Sequence, residues 1–200
     1  MIQSVCVFCG SSFGRRPEYR HAAEEMGTLL AQRKLRLIYG GGNVGLMGAL
    51  ADACLAAGGA VTGVIPQALG DKELAHWGLT ELHIVKSMHE RKAMMAELAG
   101  AFIALPGGFG TFEEFLEVLT WTQLGLQRKA CGLVNVLGYY DSLLALADRA
   151  MEDDFLQPAH REMVVAADSP AAVLDKVLHF LPPAMPKWGD LGKATIHDAT

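Results

Sequence analysis

Short apolar runs and longer amphipathic stretches alternate along the first 180 residues. Segments 2–8, 35–39, 60–65, 79–85, 101–105 and 131–136 are nearly unbroken runs of apolar and β-branched residues. Runs of that length and character predict strands buried on both faces, as in a parallel sheet. Between them, segments 17–33, 44–57, 88–99 and 111–124 carry apolar residues at helical spacing, and further helices are expected over 140–151 and 170–180. Pro17 suits a first helical turn, while Gly58 and Gly100 suit helix stops. This alternation predicts an α/β fold, a doubly wound parallel sheet with helices on both faces. No repeat or linker interrupts residues 1–180, so a single domain is expected there. A tail over 181–200, holding Pro182, Pro183 and Pro186, reads as extended and able to pack on a partner subunit.

Composition removes several function classes. The chain has 200 residues, 51% hydrophobic and 20% charged, enough to bury a core without disulfide or metal. Its 17 Lys+Arg and 22 Asp+Glu are interspersed and leave a net charge of −5. That balance argues against nucleic-acid binding, which calls for a basic stripe, but permits a small anionic ligand. The start, Met1 to Cys6, lacks the basic and apolar regions of a signal peptide. The longest uncharged run, 53–70, is broken by Gly58, Gly59 and Pro66, so no membrane span is expected. Cys6-x-x-Cys9 has the spacing of a redox or zinc pair, but residues i and i+3 on a strand point to opposite faces. Cys6, Cys9, Cys54 and Cys131 are therefore expected to be buried thiols in a cytoplasmic protein.

Glycine is in excess, 22 residues of 200 against about 7% in ordinary proteins, so its placement is informative. Gly10-Ser11-Ser12 follows the first predicted strand and Gly40-Gly41-Gly42-Asn43-Val44-Gly45 the second. Pro106-Gly107-Gly108-Phe109-Gly110-Thr111 follows the strand at 101–105. Ligands of such sheets bind beyond the carboxyl ends of the strands, where free amides at helix starts hold anions. A bound phosphate is the natural guest. Gly40-x-Gly42-x-x-Gly45 has the form of the dinucleotide fingerprint, yet the acidic residue required about 20 positions on is missing. That argues against a nicotinamide or flavin cofactor, and neither loop carries the Gly-Lys-Ser/Thr of a P-loop.

Two charged blocks flank these loops. Thr111-x-x-Glu114 has the form of a capping box, and the local pattern favours that role for both residues. A carboxylate in the first turn after a phosphate loop also sits where an attached sugar would lie. Glu113 and Glu117 could form a solvated face. Arg91-Lys92 places two cations in a first helical turn, against the helix dipole, and needs a compensating anion from a ligand or a nearby glutamate. No His, Asp or Glu spacing suggests a metal site, and no hydrolase elbow is present.

The loop 106–114, read as PGGxGTxxE, resembles the signature of the LONELY GUY (LOG) family. Gly40-Gly41-Gly42-x-x-Gly45-Leu46-Met47-Gly48 and Met88-x-x-Arg91-Lys92 match that family's other two blocks, and the likeness runs from Cys9 to about residue 180. The resemblance implies a Rossmann-like fold, a homodimer, and cleavage of cytokinin riboside 5′-monophosphates or related nucleotides to free base and ribose 5-phosphate. It implies no metal and no cofactor, and nothing in the sequence supports the family's older "lysine decarboxylase-like" label. Position by position it implies Arg91 and Glu114 as the catalytic pair. Glu73, Lys92, Thr120 and the run Gly108, Phe109, Gly110, Thr111, Phe112 and Glu113 match nucleotide-contacting positions, with Ser11, Gly41, Gly42 and Gly107 in the adjoining turns. In glycosidic cleavage positive charge builds on the sugar ring, so Glu114 is expected to stabilise it and orient water. Arg91 has two open roles, orienting Glu114 or holding the substrate. The alternative is a non-catalytic nucleotide or cofactor carrier on the same loops.

Overall fold

The computed structural model describes residues 2–70 and 74–183. The expected tail therefore lies almost wholly outside the described residues, as does Glu73. In chain order the elements are β1 (Ser4–Phe8), α1 (Pro17–Gln32), β2 (Arg36–Tyr39), α2 (Gly45–Ala56), β3 (Val61–Pro66) and the single turn α3 (Gln67–Leu69). They continue with β4 (Glu81–Val85), α4 (Met88–Leu98), β5 (Ala101–Ala104), α5 (Phe109–Gln123) and β6 (Cys131–Val134). After a 3₁₀ turn at Val136–Gly138 come α6 (Asp141–Glu152), α7 (Pro158–Arg161), β7 (Val164–Ala167) and α8 (Pro170–His179).

Seven parallel strands form one sheet in the order β4-β3-β2-β1-β5-β6-β7. The apolar runs become its interior because alternate residues feed two cores. Val5, Val7, Leu37, Tyr39 and Ile103 face α1, α2 and α8. Cys6, Phe8, Ile38, Phe102 and Ala104 face α4 and α5. The doubly wound Rossmann-like arrangement is thus present, and the chain reverses its direction of winding between β1 and β5. Ligands of such sheets lie in the crevice at that reversal.

Three features depart from the sequence reading. The edge strand β7 and the single turn α7 were not anticipated. Helix α5 starts at Phe109, two residues before the expected start, with Gly108 as its N-cap. Cys6 and Cys9 do fall in opposite cores. All four cysteines are buried and free, and burial pushes the Cys54 thiol up to about 11 and that of Cys131 to about 12. No described helix is long and apolar enough to cross a membrane.

Candidate functional site

The three glycine turns meet at the carboxyl ends of β2, β1 and β5. Gly10 joins them: its N–H donates to Pro106 O and its carbonyl accepts from Leu46 N, both over 3.1 Å. Gly45 has φ +56, and a Cβ there would overlap the backbone of Ser11 and Ser12. Glycine at that position lets the second turn lie flat on the first. The result is a cleft of about 300 Å³ whose walls include Ser11, Phe13, Tyr19, Gly107, Gly108 and Tyr139. Gly41 and Gly42 are buried beneath the rim and tie it to the segment after α3, through Asn43 N to Leu74 O at 2.8 Å and His76 N to Gly41 O at 2.9 Å.

The turn into α5 is electrically one-sided. The carbonyls of Leu105, Pro106, Gly107 and Gly108 all accept hydrogen bonds, from Tyr140 OH, Gly10 N, Tyr139 OH and Phe112 N respectively. Among the described residues no protein acceptor meets the N–H groups of Gly107 through Thr111. Gly108, Phe109 and Gly110 are exposed, so their amides open to the cleft side, and first-turn amides of this kind are where anions bind. A Cβ at Gly108 or Gly110 would meet nothing within 4 Å, so no internal packing calls for glycine at either position.

The capping-box reading of Thr111 and Glu114 does not hold. With the helix starting at Phe109, Thr111 lies inside the first turn, its side chain packed where a Cβ on Gly107 would be. Glu114 lies one turn below Gly110 on the same helix face and is only 8% exposed. Its carboxylate faces Arg91 across 3.3 Å. Burial raises the Glu114 carboxyl above its ordinary range, while the neighbouring guanidinium opposes that shift.

Arg91 is fixed on three sides. Its Nε donates to Val64 O over 3.1 Å, one terminal nitrogen faces Glu114, and the other lies where a Cβ on Gly40 would be. Lys92 is drawn to α5 by Glu113, and by Glu117 at 3.1 Å. The Glu113 hydrogen bond is the chief reason its ammonium is held above the ordinary lysine range. The anions that the Arg91-Lys92 pair required are thus glutamates of α5, and Glu113 and Glu117 are partnered.

The structure therefore brings Arg91, Lys92, Glu113 and Glu114 together between α4 and α5, and sets Gly107 and Gly108 beside Ser11 in the cleft, whose walls do not include the charged cluster. Phe112 packs among aromatic rings, 6.2 Å from Tyr140 and 6.4 Å from Phe109. Thr120 is not brought in: it lies about 9 Å along α5 from Glu114. Its hydroxyl, on an exposed face, donates to Leu116 O over 2.7 Å. Sequence reasoning missed Gly40 as the seat of Arg91, and Tyr139 and Tyr140 as partners of the loop. The tandem tyrosines just past a strand end were the only signal. A larger groove of about 700 Å³, lined by Lys34, Arg36 and Glu81 among others, lies at the opposite end of the sheet and holds none of the predicted site residues.

Comparison with known proteins places this geometry in context. The family described as "Possible lysine decarboxylase" matches residues 47–177. A probable cytokinin riboside 5′-monophosphate phosphoribohydrolase of Oryza sativa subsp. japonica is 51% identical over 181 residues, 90% of this chain and 80% of that protein. A cytokinin riboside 5′-monophosphate phosphoribohydrolase of Rhodococcoides fascians is 56% identical over 164 residues, covering 82% of this chain and 83% of the relative. Among solved structures, the molybdenum cofactor binding protein of Rippkaea orientalis superposes with a TM-score of 0.67, covering 89% of this chain and 97% of that one. At 18% identity that likeness is one of fold.

Proposed function

The chain belongs to the LOG family of cytokinin riboside 5′-monophosphate phosphoribohydrolases, and from that premise we propose how its residues divide the work. The reaction is hydrolysis of the N-glycosidic bond of a nucleoside 5′-monophosphate. Water oxygen bonds to C1′ as the C1′–N bond breaks, one water proton remains in the new anomeric hydroxyl, and the other ends on the departing base. The observation that carries the assignment is a buried carboxylate, Glu114, held by Arg91 one helical turn below amides that have no protein acceptor among the described residues.

The N–H groups of Gly108, Phe109, Gly110 and Thr111 hold the 5′-phosphate, helped by the helix dipole. Ser11, Gly41, Gly42 and Gly107 shape the cleft around the ribose phosphate. Glu114 stabilises the positive charge that develops on the ribose and orients the attacking water. Arg91, already engaged on three sides, keeps Glu114 ionised and aimed. Lys92 holds Glu113 and Glu117 and so fixes α4 against α5. Glu73 and Thr120 complete the nucleotide's surroundings. Thr120 reaches a nucleotide from a second copy of the chain, in a cytoplasmic homodimer. Support for that pairing is the stripe of Phe109, Leu116 and Thr120 on the exposed side of α5, with Phe109 90% exposed. Sedimentation at micromolar concentration gives a dimer mass on this reading.

Incubation with AMP and with isopentenyladenosine monophosphate, followed by chromatography, tests the proposal. Free base and ribose 5-phosphate in equal amounts are expected. Tight nucleotide binding without release of base would instead mark a carrier.

A further inference from the structure

Two phenols outside the glycine loop set the direction of its peptide groups. The Tyr140 side chain is buried, and its hydroxyl donates to the carbonyl of Leu105 over 2.7 Å. Tyr139, at the cleft wall, donates to the carbonyl of Gly107. The turn that delivers both is specially built. Leu137 and Gly138 have φ of 54° and 71°, and a non-glycine residue in that region is held only by its surroundings. Asn135 supplies the hold, accepting from Tyr140 N and donating to Asp141, each over 2.7 Å. The rings are then wedged edge to face: Tyr139 on Tyr140 at 5.1 Å, and Tyr19 on Tyr139 at 5.5 Å.

In a trans peptide the C=O of one residue and the N–H of the next point in opposite directions. Drawing the Gly107 carbonyl onto Tyr139 therefore turns the Gly108 N–H the other way. Tyr140 fixes the base of the loop two peptides earlier, at the Leu105 carbonyl. Without the Tyr139 hydroxyl the Gly107 carbonyl loses its hydrogen-bond donor and can turn to present an acceptor where an anion needs donors. We infer that Tyr139 and Tyr140 are positioning residues that pre-orient the β5–α5 amides for the phosphate of a phosphorylated sugar. The inference rests on the phosphate-cradle reading above, and it assigns the tyrosines no part in bond breaking.

The test is calorimetric titration of the full chain with ribose 5-phosphate, alongside steady-state kinetics with AMP, for the native protein, Tyr139→Phe and Tyr140→Phe. Loss of one well-placed hydrogen bond in Tyr139→Phe is expected to raise the ribose 5-phosphate Kd and the AMP KM together, by about tenfold, with kcat within about twofold. Tyr140→Phe is expected to move both in the same direction by less. Native affinity for ribose 5-phosphate in Tyr139→Phe, with only a lower melting temperature, would overturn the inference and leave a packing role. A native chain that binds ribose 5-phosphate but releases no base, with binding weakened in Tyr139→Phe, would support the tyrosine role and refute the hydrolase reading. Failure of the native chain to bind ribose 5-phosphate at all would overturn both cradle and clamp. Tyr139 carries the test should the buried Tyr140 variant fold poorly.

Discussion

Helices α4 and α5 both follow a strand of the same sheet, lie on the same face and start near the sequence Ser/Thr-x-x-Glu, yet the two starts are built in opposite ways. At α4 the pattern caps the helix: Ser87 accepts from Glu90 N over 3.1 Å, and Glu90 accepts from Lys86 N over 2.8 Å. At α5 the N-cap is Gly108, no side chain caps the helix, and the Thr-x-x-Glu pair has slid inside the first turn. A side-chain cap satisfies first-turn amides and so removes them from use by a ligand. Helix α4 is closed and supplies side chains, Arg91 and Lys92. Helix α5 is left open and supplies its backbone. A helix start that breaks a local rule without internal compensation points to function.

The sharpest way to break that comparison is to remove the same charge from both glutamates. Glu114→Gln is expected to lower the rate of adenine release from AMP by on the order of 10³, the scale of a lost catalytic group. Glu90→Gln is expected to leave the rate within about twofold. Equal losses in the two variants would show that the α5 carboxylate has no special place. Stability should move differently. Burial raises the Glu114 carboxyl above its ordinary range, so the folded chain binds that proton more tightly than the unfolded chain does. Its contribution is therefore full in acid and is lost as pH rises through the folded value. Denaturant titrations over pH should show that slope flattened in Glu114→Gln.

Arg91→Met comes next in size. Among the described residues it removes the cation in direct contact with Glu114 and leaves a buried carboxylate uncompensated, at a cost of roughly 3 kcal/mol near neutral pH. The acid limb of kcat/KM, set by ionisation of Glu114, is expected to move to higher pH, and turnover near neutrality to fall by about 10- to 100-fold. An unmoved acid limb, measured over pH with AMP, would place Arg91 on the substrate and not on Glu114.

Much of this arrangement was legible in the residues themselves. The strands of the sheet interior could be read because a parallel strand buried on both faces needs an unbroken apolar run, and no helix surface gives one. The edge strand Val164–Ala167 was not read: only Val165 in it is buried, so it is not one of the doubly buried strands that an apolar run marks. The glycine loops were visible as composition, but which glycines serve packing and which serve the cleft depends on neighbours distant in sequence. Gly40 is explained only by Arg91, 51 positions later. Thr111 and Glu114 misled because a capping box and a first-turn carboxylate share one spelling, and the helix start that separates them is set by the preceding glycines. Tyr139 and Tyr140 were marked only by their tandem placement past a strand end, since their partners are backbone carbonyls and leave no mark in the sequence.

Gly108→Ala and Gly110→Ala sharpen the contrast at the backbone. A methyl group at either position meets nothing inside the protein, and at Gly110, within a helix, it should stabilise the chain by about 0.5–1 kcal/mol. The same methyl group lies where a phosphate approaches the amides, so the KM for AMP is expected to rise roughly tenfold in either variant. A more stable chain with weaker substrate binding is the signature of a helix start kept open for a ligand. A variant with unchanged KM would return these glycines to a turn-making role.

Ser87→Ala has the smallest expected effect and tests the other side of the comparison. Loss of the cap leaves Glu90 N unpaired and should cost about 1 kcal/mol, read as a lower denaturation midpoint with unchanged slope. Because Arg91 and Lys92 are anchored by Val64 and by the glutamates of α5, and not by the cap, fraying of α4 before Met88 should hardly move them. Turnover of AMP within about twofold of native, at temperatures where the variant stays folded, is therefore expected. A kinetic loss exceeding the stability loss would mean that the α4 cap aims Arg91, and that the two helix starts are one device.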